Sequence, residues 1–178
     1  NFLMAAFSGL GSAMLGYNAQ NLGKGDRERI RRGTLQSIVV MLITFGICLT
    51  AGMLLSIGGA YQYIFMSADK ISADTIRYGN TLLYVDLIFY AVLGFLIVIR
   101  SAVQGMCLPL WVLGAGIAEL AARVLICAYL PAIVNGAPVD STASTLSFAA
   151  VCFGDPGAWI LASAVLAVPL FRYILKRS

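Results

Sequence analysis

The sequence predicts an all-α polytopic membrane protein in which residues 1–178 form one transmembrane domain. The first observation is composition: 60% of the residues are hydrophobic and only 11% are charged, against roughly 25% charged residues in a soluble domain. The second is a mean hydropathy of +0.89, which leaves too few polar side chains to cover a soluble particle. The third is that most basic residues lie between long apolar stretches. These observations indicate that lipid surrounds most of the protein.

Five apolar stretches are each close to the ~20 residues with which a helix crosses the hydrocarbon layer. A membrane β-barrel would alternate in polarity over stretches of about ten residues, whereas residues 35–55 are apolar on consecutive positions all round. The Gly-Asp-Pro-Gly segment at 154–157 should start the last helix late or break it, because proline lacks a backbone donor. The five predicted spanning helices cover about residues 1–22, 34–59, 80–99, 107–130 and 157–175.

Charge in the connections predicts the orientation, because short loops rich in lysine and arginine stay on the cytoplasmic side. The first connection and the C-terminal tail are basic, the second is balanced, the third carries Arg100, and the fourth carries only acids. Inside and outside therefore alternate over all five helices. This predicts a multi-pass protein of the cell membrane with a cytoplasmic C-terminus. The basic groups are Lys24, Arg27, Arg29, Arg31 and Arg32 in the first connection and Arg172, Lys176 and Arg177 in the tail; the acids of the fourth connection are Asp140 and Asp155.

Several functional classes lack the residues that they require. The chain has no histidine and its cysteines are isolated from one another, so we expect no metal site and no bound cofactor. The basic residues do not form the solvated face that nucleic acid would need. Intramembrane aspartyl proteases carry Tyr-Asp on one helix and Gly-x-Gly-Asp on the next, whereas residues 84–86 read Tyr-Val-Asp and residues 152–155 read Cys-Phe-Gly-Asp. We therefore expect that the protein is not an enzyme. The cysteines are Cys48, Cys107, Cys127 and Cys152.

Three charged residues, Asp86, Glu119 and Arg123, lie inside predicted spans, where each central charge costs about 2.5 to 3.5 kcal/mol. Glu119 and Arg123 are four residues apart with the acid first, which favours an ion pair on one helix. This pair either ties two helices together or takes part directly in coupling or cargo contact.

Asp86 has no basic residue within a turn of its own helix. It is therefore neutralised by another helix, protonated, or exposed to water or a cation, unless it is a rim residue that reaches the interface. Tyr90, one turn further along, shares its face and offers a hydroxyl and an aromatic ring to a cationic ligand. Asp86 and Tyr90 are our candidates for ion coupling or substrate binding, together with Glu119 and Arg123.

Two segments resemble a known transporter family. Gln20-Asn21-x-Gly23-x-Gly25, followed by a basic run that includes Arg31 and ends at Gly33, resembles the loop after the second helix of each half of the multidrug and toxic compound extrusion (MATE) transporters. A second segment resembles the junction between the fourth and fifth helices of a half. Its matching residues are Arg100, Gln104, Gly105, Pro109, Gly114, Glu119 and Arg123.

The resemblance implies that the five spans are the last five of twelve helices in a transporter with two lobes. Such transporters expel cationic or amphipathic compounds in exchange for protons or sodium ions, so the implied partners are membrane lipids, such a substrate and the missing N-terminal lobe. Some members bind the cation with a carboxylate on the helix that corresponds to the one carrying Asp86. Because the sequence begins at Asn1 rather than at a methionine, we expect a fragment of a longer protein. A lipid or polysaccharide flippase of the same superfamily and a non-transporting membrane subunit remain alternatives.

Overall fold

The computed structural model describes residues 4–67, 71–136, 138 and 144–176, and in these residues it is helical without strands. Asp26 caps the second helix by accepting a hydrogen bond from the backbone N–H of Arg29 at 3.0 Å. Pro109 begins a later helix, where its missing N–H removes no helical hydrogen bond. The helices are α1 (Met4–Gly23), α2 (Arg27–Ser56), a 3₁₀ turn (Ile57–Gly59), α3 (Gln62–Phe65), α4 (Ala73–Gly105), α5 (Pro109–Asn135), α6 (Thr145–Cys152), α7 (Gly154–Pro169) and a π-helical segment (Leu170–Leu175).

Four of these segments are long and apolar enough to cross a membrane, which supports a membrane-embedded all-α protein. They are Arg27–Gly59, Ala73–Gly105, Pro109–Asn135 and Thr145–Leu175. The first predicted stretch is helical as α1, but polar residues in its second half, such as Asn18 and Gln20, lower its hydropathy. A fifth spanning helix therefore stays a prediction.

The helices extend beyond the predicted spans. α2 begins at Arg27 rather than near residue 34, and α4 covers Ala73–Gly105 rather than 80–99. The last span begins at Thr145 rather than at residue 157. Its helix is interrupted at Phe153, between α6 and α7, just before the segment 154–157 where a break was predicted, and residues 154–157 themselves begin α7. Polar turns at the ends of α2 and α4 remain helical because they satisfy their own backbone hydrogen bonds whatever solvent surrounds them.

α4 lies at the centre of the bundle and contacts α1, α2, α5, α6 and α7. Leu96, Ile99 and Val103 of α4 are buried in one cluster with Leu166 of α7 and Ile30 of α2. A second cluster joins α1, α2 and α4. Its buried members are Phe7, Met41, Cys48 and Val98.

Small residues permit two of the close helix contacts. Gly94 of α4 packs against Phe7 and Met41, and Gly52 of α2 packs against Leu87. Gly46, Gly114 and Gly116 have no atom near the position of a Cβ, so these glycines make no such contact within the described chain. Much of the apolar surface stays exposed, because only 17% of the apolar window of α2 and 11% of that of α5 are buried. Lipid or a further part of the protein can cover this surface.

Candidate functional site

The first part of the N-terminal motif forms the turn between α1 and α2. Asn21 is buried, and its Nδ2 donates a hydrogen bond to the carbonyl oxygen of Tyr17 at 2.7 Å. α1 ends at Gly23, and Gly25 adopts a φ of +72° that favours glycine. Gln20 is exposed. These residues therefore shape a tight turn.

The second part of the motif holds α2 against α1. Gly33 lies so close to the ring of Tyr17 that a Cβ at this position would overlap it. The Tyr17 hydroxyl donates to the carbonyl oxygen of Arg29 at 3.2 Å. Arg31 forms an ion pair with Glu28, with an Nη1–Oε2 distance of 3.4 Å. Close packing of α1 and α2 therefore requires a glycine at position 33, opposite the ring of Tyr17. Arg31 contributes positive charge at the basic end of the bundle.

A chain of ion pairs connects α4, α5 and α7. Arg100 Nη2 of α4 lies 2.5 Å from Glu119 Oε2 of α5. The other oxygen of Glu119 lies 3.3 Å from Arg123 Nη2, one turn further along α5. Arg123 Nε then donates to Asp155 Oδ1 of α7 at 2.7 Å. The predicted Glu119–Arg123 pair is present, and it is the middle of a four-residue network that joins three helices.

Two charges of this network, which the sequence assigned to connections, lie within helices. Arg100 lies inside α4, five residues before its end at Gly105. Asp155 lies in the first turn of α7 and within the fourth apolar span rather than in an outer loop. Their charges are balanced inside the bundle because acids and bases alternate along the network.

The remaining residues of the second motif lie at the junction of α4 and α5. A Cβ on Gly105 would lie 2.6 Å from the carbonyl oxygen of Leu15 in α1, so this glycine permits a close approach of two helices. Pro109 is the first residue of α5. Gln104 and Pro109 are exposed and line a mainly apolar cleft on the outside of α5. The motif is therefore structural at Gly105 and Pro109, and it contributes to the ion network through Arg100.

Asp86 is half-buried near the middle of α4, and its Oδ1 has no hydrogen-bond partner among the described residues. The Asp155 carboxylate is near enough to repel it electrostatically. No described basic side chain forms an ion pair with Asp86 within 4.0 Å, as the five pairs among these residues involve other groups. The sequence left open that a base on another helix neutralises Asp86, and no described helix supplies such a base.

Tyr90 lies beside Asp86, and aromatic rings surround it. Its ring centroid is 6.3 Å from that of Phe7 in α1 and 6.3 Å from that of Trp159 in α7. The ring centroid of Phe89, the preceding residue, lies 5.4 Å from that of Phe153. Asp86 therefore lies next to an aromatic cluster that connects α1, α4 and α7.

Sequence reasoning missed two parts of this arrangement. Asn18 is fully buried, and its Nδ2 donates to Thr34 Oγ1 at 3.3 Å and to the carbonyl oxygen of Ala102 at 3.2 Å. An asparagine inside an apolar helix was the available signal. The proximity of Asp155 to both Arg123 and Asp86 has no signal in the spacing, because it depends on how α7 packs against α4 and α5.

The arrangement offers a carboxylate that can be neutralised reversibly. Among the described residues, no group of three or more histidine, cysteine, aspartate or glutamate side chains could hold a metal ion. A partly buried carboxylate can instead take a proton or a single cation beside an aromatic surface.

Comparisons with known protein families, with curated proteins and with solved structures found no match for this chain.

Proposed function

We propose that the chain is part of a secondary active transporter, which exchanges cationic or amphipathic compounds for protons or sodium ions. The observation that carries the proposal is the Asp86 carboxylate: it lies inside an apolar span, and its Oδ1 lacks a hydrogen-bond partner among the described residues. An ionisable group in such a position is expensive in lipid and is usually tied to the movement of ions or substrates. The resemblance of the two motifs to MATE transporters agrees with this class.

Coupling requires that ion and substrate compete for one site. One carboxylate can be neutralised by a proton, a sodium ion or an organic cation, but not comfortably by two of them together. Asp86 supplies the charge, and the half-buried ring of Tyr90 supplies an aromatic surface for the body of the compound. If the two occupants favour different openings of the transporter, each drives the release of the other.

The Arg100–Glu119–Arg123–Asp155 network has a supporting role in this proposal. It fixes α7 against α4 and α5, and thereby holds Asp155 near Asp86. We therefore assign Glu119 and Arg123 to positioning rather than to contact with substrate.

The test is efflux of a fluorescent organic cation from vesicles that contain the full-length protein. Proton and sodium gradients are imposed separately. The Asp86→Asn variant, which keeps the shape but not the charge, should lose gradient-driven efflux. Asp74→Asn is the matched control, because Asp74 is exposed in the first turn of the same helix.

Unchanged efflux and ion dependence in Asp86→Asn would refute the assignment of Asp86. Absence of cation efflux from the unaltered protein, with movement of a labelled lipid between leaflets, would favour a flippase. Absence of both activities would favour a non-transporting subunit.

A further inference from the structure

The basic end of the bundle contains a cleft of about 570 Å³, within the ~300–1,000 Å³ range of small-molecule sites. One wall is the first turn of α2 and the other is the C-terminal segment after α7. The cleft is lined by Arg27, Glu28, Arg31, Arg172, Tyr173, Ile174 and Lys176. Basic side chains from the start of α2 and from the C-terminal segment thus meet in one concavity.

The two walls are held together by apolar packing below the charges. Ile30 of α2 and Ile174 of the π-helical segment are both buried in the main core cluster, and their exposed fractions are 1% and 3%. Leu170, one turn before Ile174, belongs to the same cluster. The cleft therefore has a fixed apolar floor and does not depend on its charged side chains for its shape.

The positive charge of the cleft is largely uncompensated. Glu28 is the single acid among its lining residues, and both of its oxygens are engaged by arginines of its own helix: Arg31 at 3.4 Å and Arg32 at 2.7 Å. Within the described chain, Arg27, Arg172 and Lys176 have no ion-pair partner. Several like charges around one concavity repel each other, and a bound anion relieves this repulsion.

The position of the cleft selects the kind of anion. It lies where the helix of one apolar span begins and that of another ends, and this end of the bundle faces the water–lipid interface when the helices cross a membrane. Leu35 is one helical turn further into the span than Arg31, on the same face, and its side chain is exposed. A ligand held here meets guanidinium groups on the water side and an apolar helix surface on the lipid side.

We propose that this cleft binds the phosphate headgroup of an anionic phospholipid, whose acyl chains lie along the exposed apolar face of α2. Arg27 and Arg172 donate paired hydrogen bonds to the phosphate oxygens from opposite walls, since guanidinium groups match this geometry. Lys176 adds a point charge at the rim. The proposal rests on the membrane position of the bundle and does not require that the protein transports anything.

The test measures how much phosphatidylglycerol and how much phosphatidylcholine stay bound to the natural-length protein in detergent, by native mass spectrometry. Arg27→Gln/Arg172→Gln removes one base from each wall. At about 1 kcal/mol per base near an anionic surface, affinity for phosphatidylglycerol should fall about 25-fold. Lys24→Gln/Arg29→Gln is the matched control, because it removes the same charge at the same end but outside the cleft. This control should retain the lipid.

Lys176→Gln provides a second variant that alters no buried contact, because Lys176 is exposed and follows the last helix. It should weaken retention about fivefold, and it keeps the test valid if the double variant does not fold. Equal retention of both lipids, or equal loss in the cleft and control variants, would overturn the proposal. Displacement of phosphatidylglycerol by inorganic phosphate at equal concentration would also overturn it, because the cleft would then be a site for small anions rather than lipid.

Discussion

Replacement of Glu119 by glutamine should destabilise the bundle more than the loss of any other single charge in the described spans. Glu119 accepts hydrogen bonds from Arg100 and Arg123, and its side chain is only 17% exposed. The variant leaves Arg100 and Arg123 facing each other across a neutral amide. Two guanidinium groups in one partly dry location then repel without a counter-charge between them.

The magnitude follows from the exposure of the partners. Removal of one member of a fully buried ion pair costs about 3–5 kcal/mol, whereas an exposed pair contributes about 0–1 kcal/mol. Glu119 lies nearer the buried limit, so we expect a loss of about 2–3 kcal/mol for Glu119→Gln. Arg123 is 39% exposed, so solvent screening reduces the expected loss for Arg123→Gln to about 1 kcal/mol.

Thermal unfolding in detergent checks this prediction. Unfolding is detected with a fluorogenic maleimide, which reacts with buried thiols as they become exposed. Cys48 and Cys152 are buried reporters, and the exposed Cys107 and Cys127 are first replaced by serine to remove background. Glu119→Gln should lower the midpoint by about 5–10 °C, at about 2–4 °C per kcal/mol for a chain of this length.

Glu28→Gln is the control for this experiment, because Glu28 also pairs with two arginines but lies on the exposed surface. It should leave the unfolding midpoint unchanged. If Glu119→Gln and Glu28→Gln unfold at the same temperature, the network does not stabilise the bundle and our account of α5 and α7 is incorrect.

Three further predictions use the same unfolding measurement. Asn18→Ala removes buried hydrogen bonds to α2 and α4 and should cost about 1–3 kcal/mol of unfolding free energy. The control Gln20→Ala, on the exposed face of the same helix, should have no effect. Equal unfolding midpoints for the two variants would contradict the role of Asn18. Gly105→Ala should destabilise the protein by about 1–3 kcal/mol because its Cβ meets the α1 backbone. Gly116→Ala, with open space around it, should be neutral or stabilising. A lower unfolding midpoint for Gly116→Ala than for Gly105→Ala would show that α1 does not pack against Gly105. Asp86→Asn should leave the midpoint unchanged or raise it, because the charge lacks an ion-pair partner among the described residues; a large decrease would reveal one.

Hydropathy predicted where the spans lie because a helix in lipid must be apolar all round. It did not predict where the helices end, because helical hydrogen bonds continue beyond the apolar layer. α2 begins with the charged turn Arg27–Glu28, which is stabilised by the Asp26 cap rather than by lipid. α1 shows the opposite case: the polar residue Asn18 lowers its hydropathy, yet its Nδ2 donates hydrogen bonds to α2 and α4.

In the candidate site, too, the sequence predicted contacts within a helix and did not predict contacts between helices. The Glu119–Arg123 pair was predictable because a spacing of four residues fixes it within one helix. The absence of a local base near Asp86 was equally visible in the sequence. The contacts of Arg100 and Asp155 were not, because they depend on the relative positions of α4, α5 and α7. Local periodicity determines intrahelical pairs, and only packing determines interhelical ones.

The charge balance of the described spans supports the choice of Asp86 as the exchangeable group. Two bases and two acids of the network, Arg100, Glu119, Arg123 and Asp155, neutralise one another through direct contacts. Asp86 lies outside these contacts, and no described basic side chain forms an ion pair with it. The network can therefore stay intact while Asp86 gains or loses a proton or a cation. Under the proposed function, this separation lets the occupant of Asp86 change in each cycle without weakening the contacts between α4, α5 and α7.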